Sequence, residues 1–268
     1  MTVPSPPEDT PAAAAPVLEL DALDVAFGFG PRRRQVLHGV SLSLAEGRTL
    51  GLVGESGSGK STLAKAVVGL VRPSGGRVLL DGDDLAGARR DRLATLRRRV
   101  QLIPQDPYAS LNPRMTAGEA IAEAIDPRRG KLYAHRDEVE TLLGKVAMDP
   151  DAADRYPNAF SGGQRQRIAI ARALAVRPEV IIADEVTSAL DCSVQAEVLG
   201  VLRDLRAAGP LTMLFISHDL AVVRHVSDEV AVMSEGRIVE HRERDALFTA
   251  PQNAYTKTLL ASVPRVRA

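Results

Sequence analysis

The run Gly54-Glu55-Ser56-Gly57-Ser58-Gly59-Lys60-Ser61-Thr62 fits the pattern G-x-x-x-x-G-K-[ST]. Glycines in such a run let successive backbone N–H groups turn inward around phosphate oxygens. Lys60 would then reach the β- and γ-phosphates of a nucleotide, and the Ser61 hydroxyl would ligate Mg²⁺. Two acids, Asp184 and Glu185, end an apolar run that begins at Val180. An acid placed where a buried strand emerges can hold Mg²⁺, directly or through water. Its neighbour must point differently along a strand. It can orient or deprotonate a water in line with a γ-phosphate. Together these residues suit hydrolysis of a nucleoside triphosphate.

Between the two lies Ser161-Gly162-Gly163-Gln164-Arg165, glycine-rich and at the head of a helical pattern. Free backbone N–H groups at a helix start favour anions, so this segment suits a phosphate-bearing ligand. Gln105 ends the apolar run from Val100, where a neutral side chain can touch Mg²⁺ or the attacking water. His218 follows the run Met213 to Ser217 and stands at the same sheet edge as Asp184, within reach of a γ-phosphate. Phe27 offers a face on which an adenine ring can stack, and Phe29 competes for that role. Cys192 receives no function.

These residues need strands that deliver them to one edge. Thr49 to Val53 is short and apolar without alternation, as expected of a strand buried on both faces. The glycine-rich loop follows it, then a helix from Ser61 to about Leu70. Further strands are predicted at Arg77–Gly82, Val100–Ile103, Val180–Ala183, Met213–Ile216 and Val230–Met233. Partial alternation predicts an edge strand over Val17–Val25 and another strand over Val36–Leu44. Met115 to Ala175 carries helical patterns at Ala117–Ile125, Arg136–Val146 and Gln164–Leu174 and no strand. Alternating strands and helices argue for a mostly parallel α/β sheet with an N-terminal antiparallel β portion and an inserted helical lobe.

The chain has 268 residues, 45% hydrophobic and 25% charged, with Lys plus Arg equal to Asp plus Glu at 34 each. A net charge of zero gives no electrostatic footprint for nucleic acid. Arg32-Arg33-Arg34 and Arg97-Arg98-Arg99 read as solvated faces. A single cysteine suits a reducing compartment. No run approaches the ~20 apolar residues of a membrane helix. Residues 1–16, rich in Pro and Ala, read as a disordered tail rather than a secretion signal.

The order of Gly54–Thr62, Gln105, Ser161-Gly162-Gly163-Gln164, Asp184-Glu185, Ser188-Ala189-Leu190-Asp191 and His218 resembles the nucleotide-binding domain of ATP-binding cassette (ABC) transporters. The resemblance runs from Val17 to Pro264. It implies a P-loop NTPase core over 17–268, a helical subdomain at about 106–175 and a C-terminal extension at about 248–268. It implies ATP and Mg²⁺ held by residues 54–62 and Asp184, with Glu185 as catalytic base. His218 would be the switch histidine and Gln105 the glutamine that couples core to lobe. Ser161 and Gly163 would contact the γ-phosphate of ATP bound to a partner's loop, and Asp191 would belong to the segment crossing between two such domains. The implied partners are a second ATPase subunit, two transmembrane permeases and, indirectly, an extracytoplasmic solute-binding protein, with this chain on the cytoplasmic face of the membrane.

A narrower resemblance is carried by residues 104–115, by Arg155-Tyr156-Pro157 and by Pro251-Gln252-Asn253-Ala254-Tyr255-Thr256-Lys257. It is to the second ATPase subunit of importers of oligopeptides, dipeptides and nickel. Val186 stands where that family usually has Pro, Asn253-Ala254 where it has His-Pro, and Cys192 where it has an aliphatic residue. Two other readings compete. One is an ABC ATPase outside transport, such as an accessory of phosphonate breakdown or a nucleic-acid-handling ATPase. The other is a P-loop kinase or GTPase, which leaves Ser161–Gln164 and His218 unused.

Overall fold

The computed structural model describes residues 16–85, 90–106, 110–188, 190–209 and 211–262. The expected tail over 1–15, Pro107-Tyr108-Ala109 of the family-like loop, Ala189 and residues 263–268 lie outside them. Pro16, assigned above to the tail, instead begins the first strand and pairs with Ala45.

Along the chain the strands are β1 (Pro16–Phe27), β2 (Arg34–Ala45), β3 (Thr49–Val53), β4 (Gly75–Leu80), β5 (Asp83–Asp84), β6 (Val100–Ile103), β7 (Val180–Asp184), β8 (Thr212–Ile216), β9 (Glu229–Ser234) and β10 (Arg237–Glu243). The helices are α1 (Lys60–Val67), α2 (Arg90–Arg99), α3 (Ala117–Ile125), α4 (Leu132–Lys145), α5 (Gly162–Leu174), α6 (Cys192–Ala208), α7 (Leu220–Val226), α8 (Arg244–Thr249) and α9 (Ala254–Ala261).

Four strands form an antiparallel sheet in the order β2-β1-β4-β5. β1 is therefore not the expected edge strand: Leu18 faces Leu44 on one side and Leu80 on the other. Its acids do not guard an edge. They form the solvated face of a sheet whose other face is buried, with Asp21 2.6 Å from Arg77 and Asp24 accepting from Gln35 at 2.7 Å. Leu18, Leu20, Leu23 and Val25 are buried on the opposite face.

The other six strands run in the order β10-β9-β3-β8-β7-β6. All but β10 are parallel. β3, β7 and β8 are buried along their whole length, as their unbroken apolar sequences require. Leu50, Leu52, Ile182, Leu214 and Ile216 face a core shared with β1, β2 and α1. Val53, Ile181, Ala183, Met213 and Phe215 face a second core shared with α3, α4, α5 and α6. The alternation of residues in β3, β7 and β8 thus stitches the antiparallel layer and the helical layer to one central sheet.

Among the described residues no strand lies between Ile103 and Val180. Helix α3 begins with a capping box, Thr116 Oγ1 accepting from Glu119 N while Glu119 accepts from Thr116 N at 2.8 Å. β10 was not expected, because its charged residues mask the pattern. It is specified by the turn Glu235-Gly236, whose φ values of 47° and 73° fold it back on β9.

Candidate functional site

Strand register brings the chemistry to one edge. Asp184 of β7 pairs with Ile216 of β8, Ile216 pairs with Leu52 of β3, and Ile103 of β6 pairs with Ala183. The segments leaving β3, β6, β7 and β8 therefore emerge side by side, at the carboxyl ends where open α/β sheets bind ligands.

The glycine-rich loop connects β3 to α1. Gly54 has φ +158°, and a Cβ there would lie 2.1 Å from the Met233 carbonyl oxygen. Gly59 caps α1 at φ +111°, where a Cβ would meet Leu37 Cδ2 at 2.9 Å. Neither position admits a side chain, so the backbone passes close to β9 and β2. Lys60 is 4% exposed and its Nζ donates to the carbonyls of Gly54 at 2.7 Å and Glu55 at 2.8 Å. Burial pushes its pKa down, against the opposing charges of Glu185 and Asp184. Ser61 Oγ donates to Asp184 Oδ1 at 3.2 Å. Burial pushes the Asp184 carboxyl up, opposed by that Ser61 bond. Ser58 Oγ is buried without a hydrogen-bond partner. A buried ammonium, an unpaired hydroxyl and a helix start suit phosphate oxygens, and the Ser61–Asp184 pair offers hard oxygen ligands of the kind Mg²⁺ takes.

Glu185 has φ +48°, a left-handed backbone uncommon for a residue with a side chain. Its N–H donates to the Ile216 carbonyl at 2.9 Å, so β8 holds the turn. Glu185 Oε2 accepts from Gln105 Nε2 at 3.1 Å and stands 3.4 Å from His218 Nδ1. Gln105 also reaches Ser188 Oγ at 3.3 Å. Three residues far apart in sequence thus meet at one carboxylate. Gln105 sits on Glu185, whereas the bond to Asp184 comes from Ser61. Val186, in the usual place of Pro, is 2% exposed and packs in the helical-side core.

The Ser161–Gln164 segment is brought elsewhere. Ser161 caps α5, its Oγ accepting from Gln164 N at 3.3 Å while Gln164 Oε1 accepts from Ser161 N at 3.0 Å. A Cβ on Gly163 would lie 2.1 Å from Val194 Cγ1, and one on Gly162 would lie 3.4 Å from Leu190 Cδ2. Asp191 caps α6 by accepting from Val194 N at 2.9 Å. Among the described residues no hydrogen bond joins Ser161, Gly162, Gly163, Gln164 or Asp191 to residues 54–62 of the same chain. Phe27 is 47% exposed at the end of β1 and Phe29 is 94% exposed. Cys192 is exposed and opens α6.

Two contacts of the loop were not foreseen. Gly236 N–H donates to the Ser58 carbonyl at 2.9 Å, and Glu55 N–H donates to the Tyr255 hydroxyl at 3.3 Å. Nothing local in the sequence signals either one.

The sequence pattern of the family described as "ABC transporter" matches residues 37–188. The "Probable peptide ABC transporter ATP-binding protein y4tS" of Sinorhizobium fredii is 53% identical over 226 residues, which cover 84% of this chain and 64% of that protein. The "Oligopeptide transport ATP-binding protein OppF" of Salmonella typhimurium is 49% identical over 236 residues, 87% of this chain and 71% of that protein. The chain thus spans less than two thirds of the first of these relatives. Among solved structures, the dimeric post-hydrolysis state of the ATP-binding cassette MJ0796 bound to ADP and Pi superposes with a TM-score of 0.75 at 29% identity, covering 85% of this chain and 98% of that one. The matched span includes the phosphate loop, Gln105, Ser161–Gln164 and the Asp184-Glu185 strand end, and on that footing this chain belongs to the ABC transporter family.

Proposed function

We propose that this chain is the ATP-hydrolysing, energy-coupling subunit of an importer, with peptides as the solute class. The observation that carries the chemistry is the convergence of Lys60, Ser61 and Asp184 with the Gln105–Glu185–His218 cluster at one sheet edge. The peptide class rests on relatives named for peptide and oligopeptide transport at 45–53% identity.

In this reading the loop 54–62 wraps the triphosphate, with backbone N–H groups beyond Glu55 turned to the phosphates, and Lys60 exchanges its carbonyl partners for phosphate oxygens. Ser61 and Asp184 would hold Mg²⁺, which supplies charge neutralisation to the phosphates when bound. Gln105 and the His218 ring hold the Glu185 carboxylate in one orientation. Glu185 accepts the proton of the attacking water as its oxygen bonds to the γ-phosphorus and the bond to the β–γ bridging oxygen breaks. ADP and inorganic phosphate leave. Phe27 serves as the adenine platform.

Ser161, Gly163 and Asp191 complete the site of a second, facing ATPase domain, so each nucleotide lies between two chains. Loss of the γ-phosphate removes what both sides grip, and the pair opens. A groove of about 740 Å³ lies between the sheet and the helical lobe, lined in part by Arg98, Gln101, Leu102, Pro104, Glu123 and Arg172. It is the proposed seat for a permease, beside Gln105, which links lobe movement to the carboxylate. No helix of the described residues is long and apolar enough to cross a membrane.

Glu185→Gln tests this reading. It keeps the Gln105 and His218 contacts within reach but removes the base, so turnover falls by at least ~100-fold while ATP binding remains and the closed pair accumulates. Turnover near the wild-type rate would remove Glu185 from the chemistry. Reconstitution with candidate permeases tests the solute: ATP turnover rises with peptide, and a response to other solutes alone refutes the peptide class.

A further inference from the structure

The phosphate loop is gripped from outside by the C-terminal part of the chain. At one end, Gly236 in the β9–β10 turn donates to the Ser58 carbonyl at 2.9 Å. At the other, the Tyr255 hydroxyl of α9 accepts the Glu55 N–H at 3.3 Å, across 200 residues of sequence. The start of α9 is itself tied down. Asn253 Oδ1 accepts from Tyr255 N at 2.8 Å. Glu240 of β10, 8% exposed, accepts from Gln252 N at 2.8 Å and Asn253 N at 3.0 Å. One continuous path, from the 235–236 turn through Glu240 to Tyr255, therefore clasps the loop.

The bond at Glu55 falls on a mechanically sensitive peptide unit. The unit between Gly54 and Glu55 gives its N–H to Tyr255 and its carbonyl to the Lys60 ammonium at 2.7 Å. Gly54 has φ +158° and no side chain, so no Cβ of its own restricts the orientation of this unit. Rotation would swing the carbonyl that holds Lys60. The Tyr255 hydroxyl holds the N–H side of the unit from outside the loop, opposite the Lys60 ammonium on the carbonyl side.

We propose that Tyr255 is a positioning residue for nucleotide binding, orienting the Gly54–Glu55 peptide and through it Lys60. This rests on the reading of residues 54–62 as the phosphate site. Its chemistry requires the phenol oxygen as an acceptor, which phenylalanine lacks at nearly equal size. The phenyl body of Tyr255 packs against the helical-side core and remains in the variant.

The test is Tyr255→Phe in the full chain, with MgATP affinity by calorimetry, steady-state KM and kcat for ATP, and the thermal midpoint without nucleotide. Loss of the anchor depopulates the nucleotide-competent orientation and raises Kd and KM about 3- to 10-fold, with kcat at the wild-type value and only a small fall in the nucleotide-free midpoint. Glu240→Ala, which frees α9 from the other side, raises KM in the same direction. A Tyr255→Phe protein with wild-type Kd and KM, whether or not its midpoint falls, overturns the proposal and leaves Tyr255 a packing residue. Lys60→Ala run in parallel separates the two readings. If Lys60→Ala retains wild-type ATP affinity, the phosphate-site assignment has failed. If Lys60→Ala loses affinity and Tyr255→Phe does not, only the role of Tyr255 has failed.

Discussion

Gly163→Ala puts the dual character of the 161–164 segment to the test. The new Cβ would lie 2.1 Å from Val194 Cγ1 and 3.5 Å from Val194 Cβ. Carbon atoms prefer about 3.5 Å or more, so the gap must open by roughly 1.4 Å. Val194 is β-branched and sits in the first turn of α6, where its χ1 is close to fixed, so the methyl cannot swing aside cheaply. The start of α5 must instead move away from α6. Overpacking of this kind costs about 1–3 kcal/mol, offset by up to ~1 kcal/mol from the better helix propensity of alanine. The net loss reaches about 2 kcal/mol, a fall in thermal midpoint of roughly 4–8 °C at this chain length. Calorimetry on Gly163→Ala, Val194→Ala and the double variant closes a cycle. The double variant should be more stable than the sum of the singles by about 1 kcal/mol or more, because truncating Val194 removes the clashing methyl. Additivity within ~0.5 kcal/mol refutes the packing argument. ATP turnover then separates the second role. A double variant with restored stability and depressed turnover agrees with Gly163 serving a partner's nucleotide, whereas full recovery confines this glycine to helix packing.

Asp184→Asn should abolish Mg²⁺-dependent turnover yet raise the thermal midpoint of the nucleotide-free protein at neutral pH. The folded-state pKa of Asp184 lies above its unfolded value, chiefly through burial. Its stabilising contribution is therefore fully present below the ordinary aspartate range and is lost as pH rises through the raised value. Melting curves from pH 4 to pH 8 should show that loss in the wild type and not in the variant. Equal midpoints at all pH values would refute it. Gly39→Ala and Gly236→Ala form a matched pair, since both glycines have positive φ, at +61° and +73°. A Cβ at 39 meets nothing within 4 Å, whereas one at 236 would lie 2.0 Å from the Val36 carbonyl oxygen. Gly39→Ala should cost ~1 kcal/mol of backbone strain and Gly236→Ala clearly more in denaturant titration, with weaker ATP binding because the Ser58 contact is displaced. Equal costs would show that the hairpin yields freely.

Much of the site was legible because it is contiguous. The run from Gly54 to Thr62 carries its own turn glycines, lysine and hydroxyl, and the buried strands before it and before Asp184 announce themselves as short apolar runs. The helix start at Ser161–Gln164 is likewise local, although its capping pair was not read from the sequence. The mostly parallel sheet and the helical lobe followed from where strand patterns alternate with helices and where they stop.

What the chain could not announce depends on pairings across it. β1 lies inside its sheet rather than at an edge, because β4 returns to pair with a strand whose acids only mark its wet face. Glu185 gathers Gln105 and His218 because β6, β7 and β8 lie side by side and parallel, which levels the ends of strands that long helical segments separate along the chain. Gly163 is required by the approach of another helix, and Tyr255 reaches Glu55 over 200 residues. Residue type and spacing decided which groups can bind a phosphate or take a proton. Only the folded packing decided which partners orient them, because hydrogen bonds act over about 3 Å in space and carry no record of distance along the sequence.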